Sequence, residues 1–392
     1  MKIGLITIVK VNNYGAELQA TATQKFLELM GYETEIIDYC YYKTWNFKDT
    51  KMSEPFVPMG MKDRLVYWVK YRVIAFLVAC VFPLINKKVA VRSMRFAQFH
   101  RDNTKMSRQY MSMDELYGAK MDYDVYMVGS DQVWNPAASS SIEPYFLTFA
   151  PKGAKKVTYA SSFGVSRIIS ELEKQYAELL TNIDSISVRE QTGVELVKKL
   201  TGKKAELVLD PTLLLTKEQW KPMMKQYPGI SRRYILIYQL LPSADLPALA
   251  LKLSKENSCV VYYLTKRAYG IKVSKGIKAI YDAGPAEFLS LIENAVCVVT
   301  NSFHGVAFSI NFNTPFYAVL NPNRESNARI ESLLDQIGVN DRIIYEGEDY
   351  MHKEVYWGRK EDVDEKLIAL KQKSINYLNS SLKNDVSRNS SC

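Results

Sequence analysis

Short, apolar, β-branched runs alternate along this chain with stretches whose apolar residues recur at helical spacing. Residues 2–9 read as a strand, 12–15 as a turn, and 16–30 as a helix with Leu18, Ala22, Phe26 and Leu29 on one face and Gly31 closing it. Strands follow at 33–39, 124–128, 156–160, 183–188 and 207–209, with helices at 170–180 and 193–200. A polar, irregular stretch at 217–233, carrying Pro222, Pro228 and Gly229, marks a domain boundary. A second alternation then begins. Its strands are 234–240, 259–264, 277–280, 296–300 and, as the last, 316–320; its helices are 244–255, 285–295, one that starts at Phe303 and is stopped by Pro315, and 327–337.

This rhythm predicts an α/β fold of two Rossmann-like, doubly wound domains facing across a cleft. The domains expected are 1–216, with a helical insertion at about 62–100, and 217–345. A helical segment at 346–383, amphipathic over 359–382, is long enough to cross back over the first domain, and the polar tail 384–392 is expected to be disordered. The insertion holds an uncharged run at 73–86, between Arg72 and Lys87. Those 14 residues fall short of the roughly 20 that a bilayer span needs. The run reads either as a helix buried under the domain or as one lying in a membrane interface, with Arg64, Lys70, Arg72, Lys87 and Lys88 near headgroups. Pro83 would kink or end it.

Hydrophobic content of 47% and charged content of 24% are those of a globular protein. The net charge of +9 favours anionic partners. The basic residues are scattered without a nucleic-acid-binding motif, so nucleic acid is not expected. Five cysteines without CxxC spacing and three widely separated histidines indicate neither a disulfide framework nor a metal centre. The opening MKIGLITIVK lacks a signal peptide's pattern, and a cytoplasmic location is expected, with or without peripheral contact of 73–86 at the inner face of the membrane.

The candidate chemistry collects in loops at the carboxyl ends of predicted strands, where open parallel sheets bind ligands. His304 falls in the first turn of a helix that Asn301 and Ser302 can cap. Free N–H groups and the positive end of the helix dipole gather an anion there. A histidine beside that anion can move a proton, unless it merely packs or caps. Gly129 to Asn135 holds Ser130 and Asp131; Ser161 and Arg189 end two further strands; Asn13, Tyr14 and Gly15 form the first loop. Asp131 could orient or deprotonate a hydroxyl, or simply stabilise its loop as an Asx turn. Arg189 could grip an anion or pair with Glu190 or another carboxylate.

The segments NNYGAELQATATQKFLELMGYETEIIDY, VGSDQVWN, YASSFG, SVRE, LDPTLLL and TNSFHGVAFSINFNTPF resemble, in this order, the polysaccharide pyruvyl transferase family. The resemblance runs from about residue 2 to 337 and is weakest over 41–123. It implies a fold of the two-domain GT-B type, phosphoenolpyruvate as donor and a sugar, free or lipid-linked, as acceptor. The implied product is a pyruvate ketal across two hydroxyls, released with phosphate and without a further cofactor. On that reading His304 is catalytic with Asp131, and the donor lies against Arg189, Asn301, Ser302, Phe303 and Gly305. The acceptor then faces Asn13, Tyr14, Gly15, Ser130 and Ser161. Some members carry an arginine where this chain has Ser302; Lys266, Arg267, Arg324 and Arg329 are candidate substitutes. A sugar-nucleotide glycosyltransferase of the same architecture, and a catalytically idle glycan- or membrane-binding protein, are the rival readings.

Overall fold

A computed structural model describes residues 1–53, 59–136, 142–230, 232–265, 273–355, 358 and 361–383. Two all-parallel sheets organise them. The first has the order β2-β1-β3-β4, from Lys2–Ile6 (β1), Glu33–Ile36 (β2), Val125–Val128 (β3) and Lys155–Thr158 (β4). Isolated pairings of Val157 with Ser185 and Ser161 with Val188 extend it towards a short pair, Ser187–Val188 (β5) and Glu206–Leu207 (β6). The second sheet has the order β12-β11-β10-β7-β8-β9, from Tyr234–Tyr238 (β7), Val260–Leu264 (β8), Ile277–Ile280 (β9), Cys297–Thr300 (β10), Phe316–Leu320 (β11) and Ile343–Tyr345 (β12). Every residue of β3, β7, β10 and β11 is buried, as parallel strands covered on both faces require.

The two Rossmann-like units meet across a cleft with a packed floor. The Tyr14 ring stacks on Phe288 at 4.7 Å between centroids, and its hydroxyl donates to the carbonyl of Ala283 at 2.8 Å. The helix Lys87–Asn103 buries Val89, Arg92, Phe96 and Phe99, and its Arg95 donates to the carbonyl of Asp282 at 2.8 Å. The C-terminal helix Glu361–Leu382 crosses back as expected. Ser374 accepts from the Leu209 amide at 2.9 Å, and Tyr377 donates to the Thr158 carbonyl at 2.8 Å.

Several expectations need correction. The strand at 183–188 is paired as a ladder only over Ser187–Val188, because its first residues make a single bridge to the edge of β4. The stretch 217–233 is not wholly irregular: Thr216 and Gln219 close a capping box that starts a helical turn at Lys217–Trp220. Residues 316–320 are not the last strand, since β12 adds a three-residue edge too short to show a period.

The largest difference is in the insertion. One continuous helix, Met61–Ile85, takes in the run 73–86 almost to its end, and none of it is buried. It winds in wide π turns over Val69–Ile74 and Leu77–Val81, and Pro83 sits at the start of its closing turn, after which Asn86 leaves helical geometry. A helix buried under the domain is therefore overturned. At 25 residues it is also long and apolar enough to cross a membrane by length and composition. The tail 384–392 and the candidates Lys266 and Arg267 lie outside the described residues.

Candidate active site

The carboxyl ends of β3, β5, β6 and β10 bring together five titratable side chains, those of Asp131, Arg189, Glu190, Asp210 and His304. Arg189 follows β5 and is completely shielded. Its Nη1 donates to Asp210 Oδ2 at 2.6 Å and Ser130 Oγ at 3.1 Å, and its Nη2 donates to Asp131 Oδ1 at 3.3 Å. Glu190, the competing partner, is 4.0 Å from Nε and instead accepts from the Phe163 amide at 3.0 Å. Burial opposes charge on both Arg189 and Asp210. Their mutual attraction outweighs it only with help from Asp131 and Glu190 beside Arg189 and from His304 and Thr212 beside Asp210, so the guanidinium is held above its ordinary pKa and the carboxyl below the usual carboxylate range. Asp210 also accepts from Thr212 at 2.6 Å.

His304 enters from the other domain, in the first turn of the helix Phe303–Phe312 that Ser302 caps. Its Nε2 is buried without a hydrogen-bond partner, 3.9 Å from Asp210 Oδ2. Burial, offset first by Asp210 and deepened by Arg189, pulls its pKa from 6.5 down to about 4, so the imidazole is neutral at pH 7. The Phe303 ring lies between two guanidiniums, 4.9 Å from that of Arg189 and 6.0 Å from that of Arg329. Burial, then the neighbouring Arg189, lower the Arg329 pKa to about 10. The Arg329 terminal nitrogens lie 3.1 and 2.8 Å from the Gln132 side-chain carbonyl oxygen when that amide faces them, while its Nε has no partner.

Two cavities adjoin this cluster. One, of about 220 Å³, has His304, Phe303, Ser302, Asn301, Arg324 and Arg329 in its wall. The other, of about 370 Å³, is walled by Tyr41, Tyr42, Lys43, Asn12 and Asn135 among others. Both share Asn13, Asp131 and Gln132, so one cleft with two compartments runs past the Asp131 carboxylate. Asp131 holds φ at 73°, a strained value for a side-chain-bearing residue, and its Oδ1 also accepts from the Gln132 amide at 2.9 Å.

The structure thus gathers His304, Asp131, Asn13, Ser302, Phe303 and Asn301 on the cleft wall. It sets others behind it. Arg189 does not reach either cavity, because Asp210 and Asp131 hold it inside. Ser130 is fully buried and donates to Asp210 at 3.0 Å. Ser161 is fully buried and donates to the Gly129 carbonyl at 3.0 Å. Tyr14 is interdomain core, with burial pushing its phenol up to about 12. Gly15 lies beneath the His304 ring, and the Gly305 amide donates to Ser302 Oγ at 3.4 Å rather than to the cavity. Asn301 anchors the loop at Leu240–Leu241, accepting from the Leu240 amide and donating to the Leu241 carbonyl, each at 2.8 Å. Asp210 and Gln132 are the residues that sequence reasoning missed. Asp210 had a signal, as an acid following a strand in LDPTLLL; Gln132 had none beyond its neighbour.

The family described as polysaccharide pyruvyl transferase matches residues 13–323 of the chain. Among solved structures, the UDP-GlcNAc 2-epimerase of Methanocaldococcus jannaschii is similar at 12% identity and a TM-score of 0.47, over 98% of this chain and 94% of that one. The heptosyltransferase WaaC of E. coli, solved with ADP, is similar at 10% identity and a TM-score of 0.40, over 88% and 93% of the two chains.

Proposed function

Because the chain belongs to the polysaccharide pyruvyl transferase family, we propose that it moves the enolpyruvyl-derived group of phosphoenolpyruvate onto two hydroxyls of a sugar in a cell-surface polysaccharide or its lipid-linked precursor. The observation that carries this reading is the unpartnered His304 Nε2 in the same cavity wall as Arg324 and Arg329, next to the compartment that Asp131 shares. Arg324 and Arg329 bind the donor's phosphate and carboxylate, and Arg329 restores the charge that Ser302 does not supply. Arg189 serves by holding Asp210 and Asp131 rather than by touching the donor.

The reaction balances as follows. The methylene carbon of the enol takes a proton from the His304 imidazolium, which the bound dianion has induced, and becomes a methyl group. An acceptor hydroxyl forms a bond to the cationic centre and gives up its proton. The bond from that carbon to the phosphate oxygen breaks, phosphate leaves with the electron pair, and a second hydroxyl closes the ketal. Of the two protons lost by the diol, one replaces that of His304 and the other leaves with phosphate. Asp131, in the wall of both compartments, takes the proton of the attacking hydroxyl and passes it to the departing phosphate. The donor resides on the cytoplasmic side.

The test is incubation with phosphoenolpyruvate and an aryl- or lipid-linked sugar, with phosphate release followed in time. Phosphate release that requires both substrates supports the proposal. Release of a nucleoside diphosphate from a sugar nucleotide, with none of phosphate from phosphoenolpyruvate, would overturn it.

A further inference from the structure

The helix Met61–Ile85 leaves Leu65, Val66, Trp68, Ile74, Leu84 and Ile85 at exposures between 49% and 83%, a continuous apolar surface that the described residues of the chain do not cover. Around it, Lys62, Arg64, Lys70, Lys87 and Lys88 are exposed; among the described residues the acids beside the helix are Asp63 and Asp49, and Asp49 is paired with Arg72. An apolar body with a cationic surround matches an anionic lipid surface.

Its 25 residues would reach about 37 Å, enough to span a bilayer. The sheet forbids that. β2 precedes the helix and β3 follows it, yet both pair directly with β1, so the chain enters and leaves on the same side. A single crossing would tear the sheet apart. The helix is left to lie in the plane of the surface.

The helix is also fastened to the second compartment. Arg72 Nη1 donates to the carbonyls of Tyr42 at 3.1 Å and Thr44 at 3.0 Å, and its Nη2 donates to Asp49 at 2.8 Å. Tyr67 donates to the same Tyr42 carbonyl at 3.3 Å, and Trp45 packs edge-on against Phe76 at 5.4 Å. Tyr41, Tyr42 and Lys43 form part of that compartment's wall.

We propose that the helix Met61–Ile85 lies in the interface of an anionic membrane and holds the compartment walled by Tyr41, Tyr42 and Lys43 against that surface, so that the acceptor is drawn from the lipid. The second half of this inference rests on the transferase reading above; the first half does not.

The experiment is flotation of the full chain with vesicles of phosphatidylcholine plus phosphatidylglycerol, and of phosphatidylcholine alone. The comparison is a Val66→Glu/Leu77→Glu/Leu84→Glu variant, altered only at exposed positions. Wild type is expected to float with the anionic vesicles and to be released by salt. The variant should partition at least about tenfold less, since each large apolar side chain withdrawn from water contributes on the order of that factor, while keeping the same melting temperature. Wild type that never floats, or a variant that floats equally, would overturn the proposal. So would a wild-type dimer that the variant loses and that excludes vesicles, because a second copy would then cover the face. The substrate arm compares phosphate release with a soluble aryl sugar, where both proteins should match, and with a lipid-linked sugar in vesicles, where the variant should be slower. Equal rates with the vesicle-borne acceptor would remove the acceptor-delivery half. Flotation without phosphate release from either acceptor would leave the membrane surface standing and sink the transferase reading.

Discussion

A β carbon added to Gly15 would stand 2.1 Å from Nδ1 of His304. Gly15 lies in the first turn of a helix in one domain and His304 in the first turn of a helix in the other, so this contact sets how the two halves of the site align. Gly15→Ala separates two opposing effects. Alanine is better than glycine inside a helix by about 1 kcal/mol. The imidazole, however, offers three ring atoms within 2.7 Å of the new methyl group and must move. The clash wins, because no real carbon tolerates that approach. Gly15→Ala is expected to keep its far-ultraviolet circular dichroism and lose at least about tenfold in turnover. A variant with wild-type turnover would show that the His304 position is unimportant to the reaction.

The second prediction concerns the buried Arg189–Asp210 pair. Removing one member of a buried ion pair leaves an uncompensated charge and costs about 3–5 kcal/mol. Arg189→Ala exposes two carboxylates, Asp210 and Asp131, to that penalty at once. Denaturant unfolding is expected to show a loss of that order, and Asp210→Asn a smaller one, because an amide still accepts from Arg189. Arg189→Ala with unchanged stability but weakened donor binding would return Arg189 to direct donor contact.

The two-sheet architecture was legible because parallel strands covered on both faces declare themselves as short apolar runs. The site was legible where loops follow such strands: Asp131, His304, Asn13 and the Asn301–Phe303 turn all reach the cleft. What one strand end could not reveal was depth. Arg189, Ser130 and Ser161 end strands too, but Asp210 and the Gly129 carbonyl take up their polar groups, and those partners are distant in sequence. For the run 73–86 two readings stayed open for a different reason. An apolar run has the same composition whether or not protein covers it, and only the exposure of Met61–Ile85 in the fold excludes the buried reading.

A third prediction tests the replacement charge. Arg329 lines the cavity of about 220 Å³ beside His304 with an unpartnered Nε, and its guanidinium is held by Gln132 and the Phe303 ring. Losing a charge-assisted bond to an anion costs on the order of 1.5–3 kcal/mol. Arg329→Ala is thus expected to raise KM for phosphoenolpyruvate at least about tenfold. Arg329→Lys should recover only part of the loss, because an ammonium cannot bind in a bidentate way. Steady-state kinetics at saturating acceptor read both. An unaltered KM in Arg329→Ala would move the donor-binding charge to Arg324 or elsewhere.

The last prediction follows from the neutral His304. Its folded-state pKa, about 4, lies below the ordinary 6.5, so between those values the unfolded chain binds more protons than the native one. Stability from this group is therefore complete above about pH 6.5 and is lost progressively as pH falls towards 4. Wild type without ligand should lose on the order of 2–3 kcal/mol across that window from this residue, and His304→Asn should lack that part of the slope. Donor binding reverses the sign locally. A dianion held by Arg324 and Arg329 in the cavity that His304 lines favours the imidazolium and draws the pKa upward. Binding at pH 7 should then take up a fraction of a proton, which calorimetry in buffers of different ionisation enthalpy measures directly. The same uptake should vanish in His304→Asn, whose turnover should fall at least about a hundredfold while phosphoenolpyruvate still binds. Equal proton uptake in mutant and wild type would mean that another group responds to the donor, and His304 would be left as a packed residue at a helix terminus.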